Sequence, residues 1–67
     1  MDKITYSEIE AANAIGISRM ELIRERNAGR ITFLVKADGK KILYRAKDIE
    51  EYLRKYYKEY KASLINH

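Results

Sequence analysis

Between Ser7 and Gly16 the apolar residues Ile9, Ala12 and Ile15 fall at helical spacing, which predicts one helix with that face on the core. Ser7-x-x-Glu10 is a capping box: the hydroxyl accepts from the Glu10 amide, and the Glu10 carboxylate accepts from the Ser7 amide. Ala11 and Ala12 allow a neighbouring helix to approach closely, and Gly16 supplies a left-handed end. The pattern restarts at once. Ser18-x-x-Glu21 is a second capping box, so a second helix is expected after Ser18, anchored by Leu22 and Ile23 and ended by Gly29. Ahead of both, Met1 to Tyr6 is expected to run extended, with Ile4 or Tyr6 on the core.

Beyond Gly29 the period changes from helical to alternating. Ile31–Lys36 and Lys41–Arg45 read as two strands around Asp38-Gly39, a strong hairpin signal that predicts a type I′ turn. This register pairs Ala37 with Lys40, Lys36 with Lys41, Val35 with Ile42, Leu34 with Leu43 and Phe33 with Tyr44. Val35, Ile42, Phe33 and Tyr44 then share the core face. The last element returns to helical spacing. Ile49, Tyr52, Leu53, Tyr56, Tyr60 and Leu64 form an apolar stripe that predicts a helix over about 47–64. Its first part suffices to cover a small core. Tyr60 and Leu64 extend further, either as a frayed amphipathic end or as an interface with a second copy.

The expected fold is therefore mainly α with a small β-hairpin: a helix-turn-helix, a two-stranded wing and a long C-terminal helix. A chain of 67 residues holds one small core, so residues 1–67 are expected to be one domain.

Charge sharpens this picture. Residues 1–18 carry a net −2, and residues 19–30 carry four arginines against two glutamates. Residues 31–47 carry five cations against Asp38 alone, and residues 48–67 balance. The excess positive charge thus falls on the second helix and the hairpin, the two elements that dock such a shape on duplex DNA. A solvated basic face is the plainer explanation of such a block. In the DNA-binding reading, the second helix enters the major groove with Ser18 at its start. Arg19, Met20 and Arg24 then meet base edges, arginine at guanine and Met20 at a thymine methyl. Lys36, Lys40, Lys41 and Arg45 contact phosphates or lie along the minor groove. Lys36 opposite Lys41 sets like charges together, which an anionic partner relieves, although two lysines can also splay into water. Arg24 and Arg26 are alternatively solvated partners of Glu21 or Glu25. Glu21 is better explained as a cap than as a reader of cytosine.

Other chemistries find little here. There is no cysteine, the one histidine is terminal His67, and no His–carboxylate pair, metal-ligand cluster or glycine-rich phosphate loop is present. No catalysis, cofactor or metal is expected. No apolar run approaches the roughly 20 residues of a bilayer span, and no signal peptide opens the chain. The cytoplasm is the expected compartment.

The order helix, tight turn, helix, hairpin, helix resembles the excisionase-like and MerR-like winged-helix DNA-binding domains, over roughly Ile4 to Leu53. The resemblance rests on Tyr6, Ser7, Glu10, Ala11-Ala12, Ile15, Gly16, Ile17 and Ser18, then Lys40-Lys41, then Asp48-Ile49-Glu50-Glu51-Tyr52-Leu53. The chain departs from such relatives in carrying Glu25-Arg26 where they usually have an apolar pair. Its hairpin tip also has lysines where theirs is often richer in arginine. The resemblance implies double-stranded DNA as the partner. It also implies side-by-side assembly on DNA, for which the Tyr60–Leu64 extension of the C-terminal helix is the surface the stripe offers, and an integrase as a protein partner if the role is excisionase-like. A small transcriptional regulator of MerR-like type is the alternative. A protein-interaction module acting through the tyrosine-rich last helix is another.

Overall fold

The computed structural model of the chain describes residues 4–59. The elements run β1 (Thr5–Tyr6), α1 (Glu8–Ile15), α2 (Arg19–Asn27), β2 (Leu34–Val35), β3 (Ile42–Arg45) and α3 (Ala46–Tyr56). Both serine capping boxes form. Ser7 and Ser18 sit extended at the two N-caps and accept from the amides of Glu10 and Glu21 at 3.2 and 3.1 Å. Gly16 closes α1 as a left-handed cap, so α1 and α2 are joined by a tight turn. α2 ends in a Schellman arrangement: the Arg30 amide donates to the Glu25 carbonyl and the Gly29 amide to the Arg26 carbonyl, both at 3.0 Å. That geometry needs a left-handed residue, and Gly29 supplies it with φ of 76°.

The three strands form one antiparallel sheet in the order β1-β3-β2. β1 is the added strand: Thr5 pairs with Arg45 and Tyr6 with Tyr44. The wing keeps the expected register, Leu34 with Leu43 and Val35 with Ile42. Its turn is different. The Gly39 amide donates to the Lys36 carbonyl at 2.7 Å, which puts Ala37 and Asp38 at the corner. Among the described residues only glycines have positive φ, so Asp38 does not adopt the type I′ conformation. The left-handed step falls on Gly39 alone, and the Asp38 carboxylate accepts from the Lys40 amide at 2.9 Å.

The core is Tyr6, Ala11, Ala12, Leu22, Ile31, Tyr44, Ile49 and Tyr52, with Ile15, Ile17, Phe33, Ile42, Ala46 and Leu53 packed against it. Four expected core residues, Ile9, Ile23, Val35 and Tyr56, are not in it. Ile9 is 58% exposed, because Ala11 and Ala12 turn inward instead. Val35 is 52% exposed, because the wing carries it beyond the edge of the core that Ile42 and Tyr44 still reach. Of the two lead-in candidates, Tyr6 is buried and Ile4 lies in solvent.

α3 begins at an ion pair. The Arg45 amide and Nε both donate to Asp48 Oδ2, at 3.1 and 2.7 Å, and the guanidinium also donates to Oδ1 at 2.9 Å. The helix stops at Tyr56, short of the expected end. Tyr57 is extended, and its ring meets Tyr52 edge-on at 5.9 Å. A residue five positions on in a helix lies about 140° round from Tyr52. The Tyr57 ring reaches Tyr52 only because the chain leaves the helix. Tyr60 and Leu64, and the interface expected of them, lie outside the described residues.

Candidate nucleic-acid interface

α2 has one buried residue, Leu22, and this fixes what the rest of the helix presents. At about 100° per residue, Met20, Arg24 and Asn27 fall within an arc of about 60° on the side away from Leu22. All three are exposed, Met20 to 59%. The Arg24 guanidinium has no ion pair among the described residues. The stripe thus presents a free guanidinium, a thioether and a carboxamide from successive turns of one short helix. Met20 and Arg24 are expected from the sequence. Asn27 is not, and its one signal there is a spacing of seven from Met20.

Arg19 lies elsewhere. It faces the start of α1, with Nε 3.7 Å from Glu8 Oε1, and its side chain is 63% exposed. Arg26, one heptad on and so on the same side of α2, donates from Nε to Glu8 Oε2 at 3.0 Å. Its guanidinium also lies 5.7 Å from the centre of the Phe33 ring. The Tyr44 hydroxyl donates to the same Glu8 oxygen at 2.9 Å. Glu8 therefore joins α1, α2 and the central strand. Ser18 spends its oxygen on the Glu21 amide, which leaves the hydroxyl proton free to donate outward.

On the opposite flank Glu25 has a matching role. It accepts from Arg30 Nε and Nη2 at 3.0 and 2.7 Å, and from the Tyr52 hydroxyl at 2.7 Å. Its carboxyl is held below the usual range first by the Arg30 hydrogen bonds and then by Tyr52. The Glu25-Arg26 pair therefore ties α2 to its neighbours on both sides with hydrogen-bonded charges. The pairing expected of Arg26 with Glu21 or Glu25 is replaced by Glu8. Between this flank and the end of α3 lies an open cleft of about 440 Å³, with Arg24 and Glu25 on one wall and Tyr52 and Tyr56 on the other.

At the wing, Lys36, Lys40 and Lys41 are all exposed. The Lys36 amide donates to the Lys41 carbonyl at 2.8 Å, so these two do face each other. Lys36 Nζ also lies 4.0 Å from Asp38, an exposed pair of little energetic weight. Arg45 differs from the lysines, because its guanidinium is engaged by the buried Asp48 carboxylate. Its raised pKa follows from those hydrogen bonds. The structure thus brings the three lysines to one hairpin end and leaves Arg45 at the root of α3.

The phenol that donates to Glu8 has a testable consequence. Burial, and then the neighbouring Glu8 carboxylate, push the Tyr44 hydroxyl up to about 12. Tyr52 is raised for the same two reasons, with Glu25 as its carboxylate. A raised folded-state value means that the neutral phenol favours the fold. That stability is fully present below about pH 10, the unfolded value, and is lost as pH rises from there to about 12. The melting temperature should fall steeply across this window, and Tyr44→Phe should make the fall shallower. An equally steep fall in the variant would remove Tyr44 from the cause.

No helix among the described residues is long and apolar enough to cross a membrane. Comparison with curated proteins and with solved structures gives no match. A family of helix-turn-helix domains matches over residues 5–57, which spans β1 through the end of α3. With both capped helices, the tight turn between them and the hairpin inside that span, the chain belongs to the helix-turn-helix domain family and is a DNA-binding helix-turn-helix protein.

Proposed function

We propose that this protein binds duplex DNA with sequence preference. In this reading α2 lies in the major groove and the wing grips the flanking backbone. The observation that carries it is the Met20–Arg24–Asn27 stripe, three exposed side chains whose chemistries match a thymine methyl, guanine and adenine. Ser18 donates its hydroxyl proton to a phosphate at the start of α2. Arg19 flanks the groove from the α1 side. Lys36, Lys40 and Lys41 are point charges suited to phosphate. Arg45 orders α3 through Asp48 and leaves the DNA backbone to the lysines.

The role we propose is that of an excisionase-like architectural or recombination directionality factor acting with an integrase. Its support is the resemblance over the two capped helices and the lysine-tipped hairpin. An adjacent integrase gene would favour this role, and a divergent operon under the protein's own control would favour a small transcriptional regulator.

Titration of Lys40→Ala/Lys41→Ala against a preferred duplex and a random one tests the wing. Affinity should fall by a similar factor on both. The log–log salt slope should become shallower by about 0.9 for each phosphate the wing no longer neutralises. An unchanged slope and affinity would take the wing out of the interface.

A further inference from the structure

Glu8 holds a carboxylate between two arginines of α2. One of them, Arg26, is hydrogen-bonded to Oε2 at 3.0 Å and has a side chain only 18% exposed. The other, Arg19, stands 3.7 Å from Oε1 and is 63% exposed. The first pairing is structural, and the second is loose enough to exchange. The Tyr44 hydroxyl fixes the carboxylate from the sheet side, so the anion cannot follow Arg19 outward.

We propose that Glu8 is a positioning residue for DNA selectivity. It retains the Arg19 guanidinium against α1, so that Arg19 is withheld from the phosphates of random DNA and is released only where a guanine edge accepts it bidentately. The inference rests on the DNA-binding reading above. Its physical basis is competition between anions. A single phosphate offers Arg19 little more than Glu8 already does, because each is an exposed, solvent-screened ion pair of small energy. A bidentate guanine pairing is stronger than a single phosphate contact and tips the exchange. Removing the charge of Glu8 removes the competitor and lets Arg19 reach for any phosphate.

The test is a double-mutant cycle on Glu8→Gln and Arg19→Ala, with affinity read against salt on a preferred and a random duplex. Glutamine still accepts from Tyr44 and Arg26, so the joint between α1, α2 and β3 keeps its hydrogen bonds. Glu8→Gln should strengthen binding to random DNA and steepen its salt slope by about 0.9, the signature of one further phosphate neutralised. The ratio of preferred to random affinity should fall. In the Arg19→Ala background the same change should leave the slope unaltered. An equal steepening with and without Arg19 would show a general charge effect and overturn the proposal. If Glu8→Gln does not fold, Arg19→Ala alone decides on random DNA: the proposal requires an unchanged slope, and a slope shallower by about 0.9 overturns it. Absence of any duplex binding by the unaltered protein would instead overturn the DNA-binding reading, and this proposal with it.

Discussion

Replacing Leu22 with alanine should unfold most of the protein at physiological temperature. Leu22 is fully buried and is the one residue of α2 in the core, so the helix has no second apolar anchor of equal depth. Truncating a buried leucine to alanine costs about 2–5 kcal/mol. Domains carry roughly 0.05–0.15 kcal/mol of stability per residue, so a chain of this length has about 3–10 kcal/mol, the same order as that loss. Urea titration followed by helical circular dichroism should show the midpoint falling toward zero with the slope retained. Ile23, only partly buried on the same helix, should cost much less when truncated. If Leu22→Ala loses under about 1 kcal/mol, the ionic ties through Glu8 and Glu25 anchor α2 more strongly than its core packing does.

Replacing Arg24 with alanine should cost about 1–3 kcal/mol on the best DNA site and far less on random duplex. Arg24 sits mid-stripe between Met20 and Asn27, with no carboxylate paired to it among the described residues, so its guanidinium is available without breaking an ion pair. Arg30 is the internal comparison. It has the same charge and lies just past the same helix, but both of its hydrogen bonds go to Glu25. Arg30→Ala should lower stability rather than selectivity. Competition binding on a small panel of single-base variants separates the two. Equal loss on preferred and random DNA for Arg24→Ala would make it a phosphate-binding residue and move base reading to Met20 and Asn27.

Local chemistry is legible in the sequence, and distant chemistry is not. Two capping boxes, a glycine end and the Asp-Gly signal each act within about four residues, so they place both helix starts and the wing register, although the turn itself shifts to Ala37-Asp38. The face of α1 escapes the sequence pattern for the opposite reason. Ile9, Ala12 and Ile15 make an acceptable stripe, but Glu8, Ala12 and Ile15 fit one helix face equally well. The choice between them depends on Arg26 and Tyr44, which are 18 and 36 positions from Glu8. No spacing rule carries that information. The Glu25-Arg26 departure has the same cause: its partners Tyr52 and Glu8 come from other elements. The last helix is shorter than its pattern suggests, because the apolar stripe continues past Tyr56 while the helix does not. The Tyr57 ring on Tyr52 gives the chain another way to bury the same rings.

The pairing of β1 with β3 places the beginning of this fold against its later part. During synthesis Tyr6, α1 and α2 emerge first, and they contribute only Tyr6, Ala11, Ala12 and Leu22 to the buried core. Both walls that close over these residues, Tyr44 on β3 and Ile49 and Tyr52 on α3, come from the second half. An incomplete chain therefore carries the α2 arginines but cannot hold them in place. Closure of a sheet across some forty residues must wait for β3, at the entropic cost that long-range pairing carries. A ribosome paused before Tyr44 would expose a helical hairpin that is recognisable as sequence yet unable to grip a duplex.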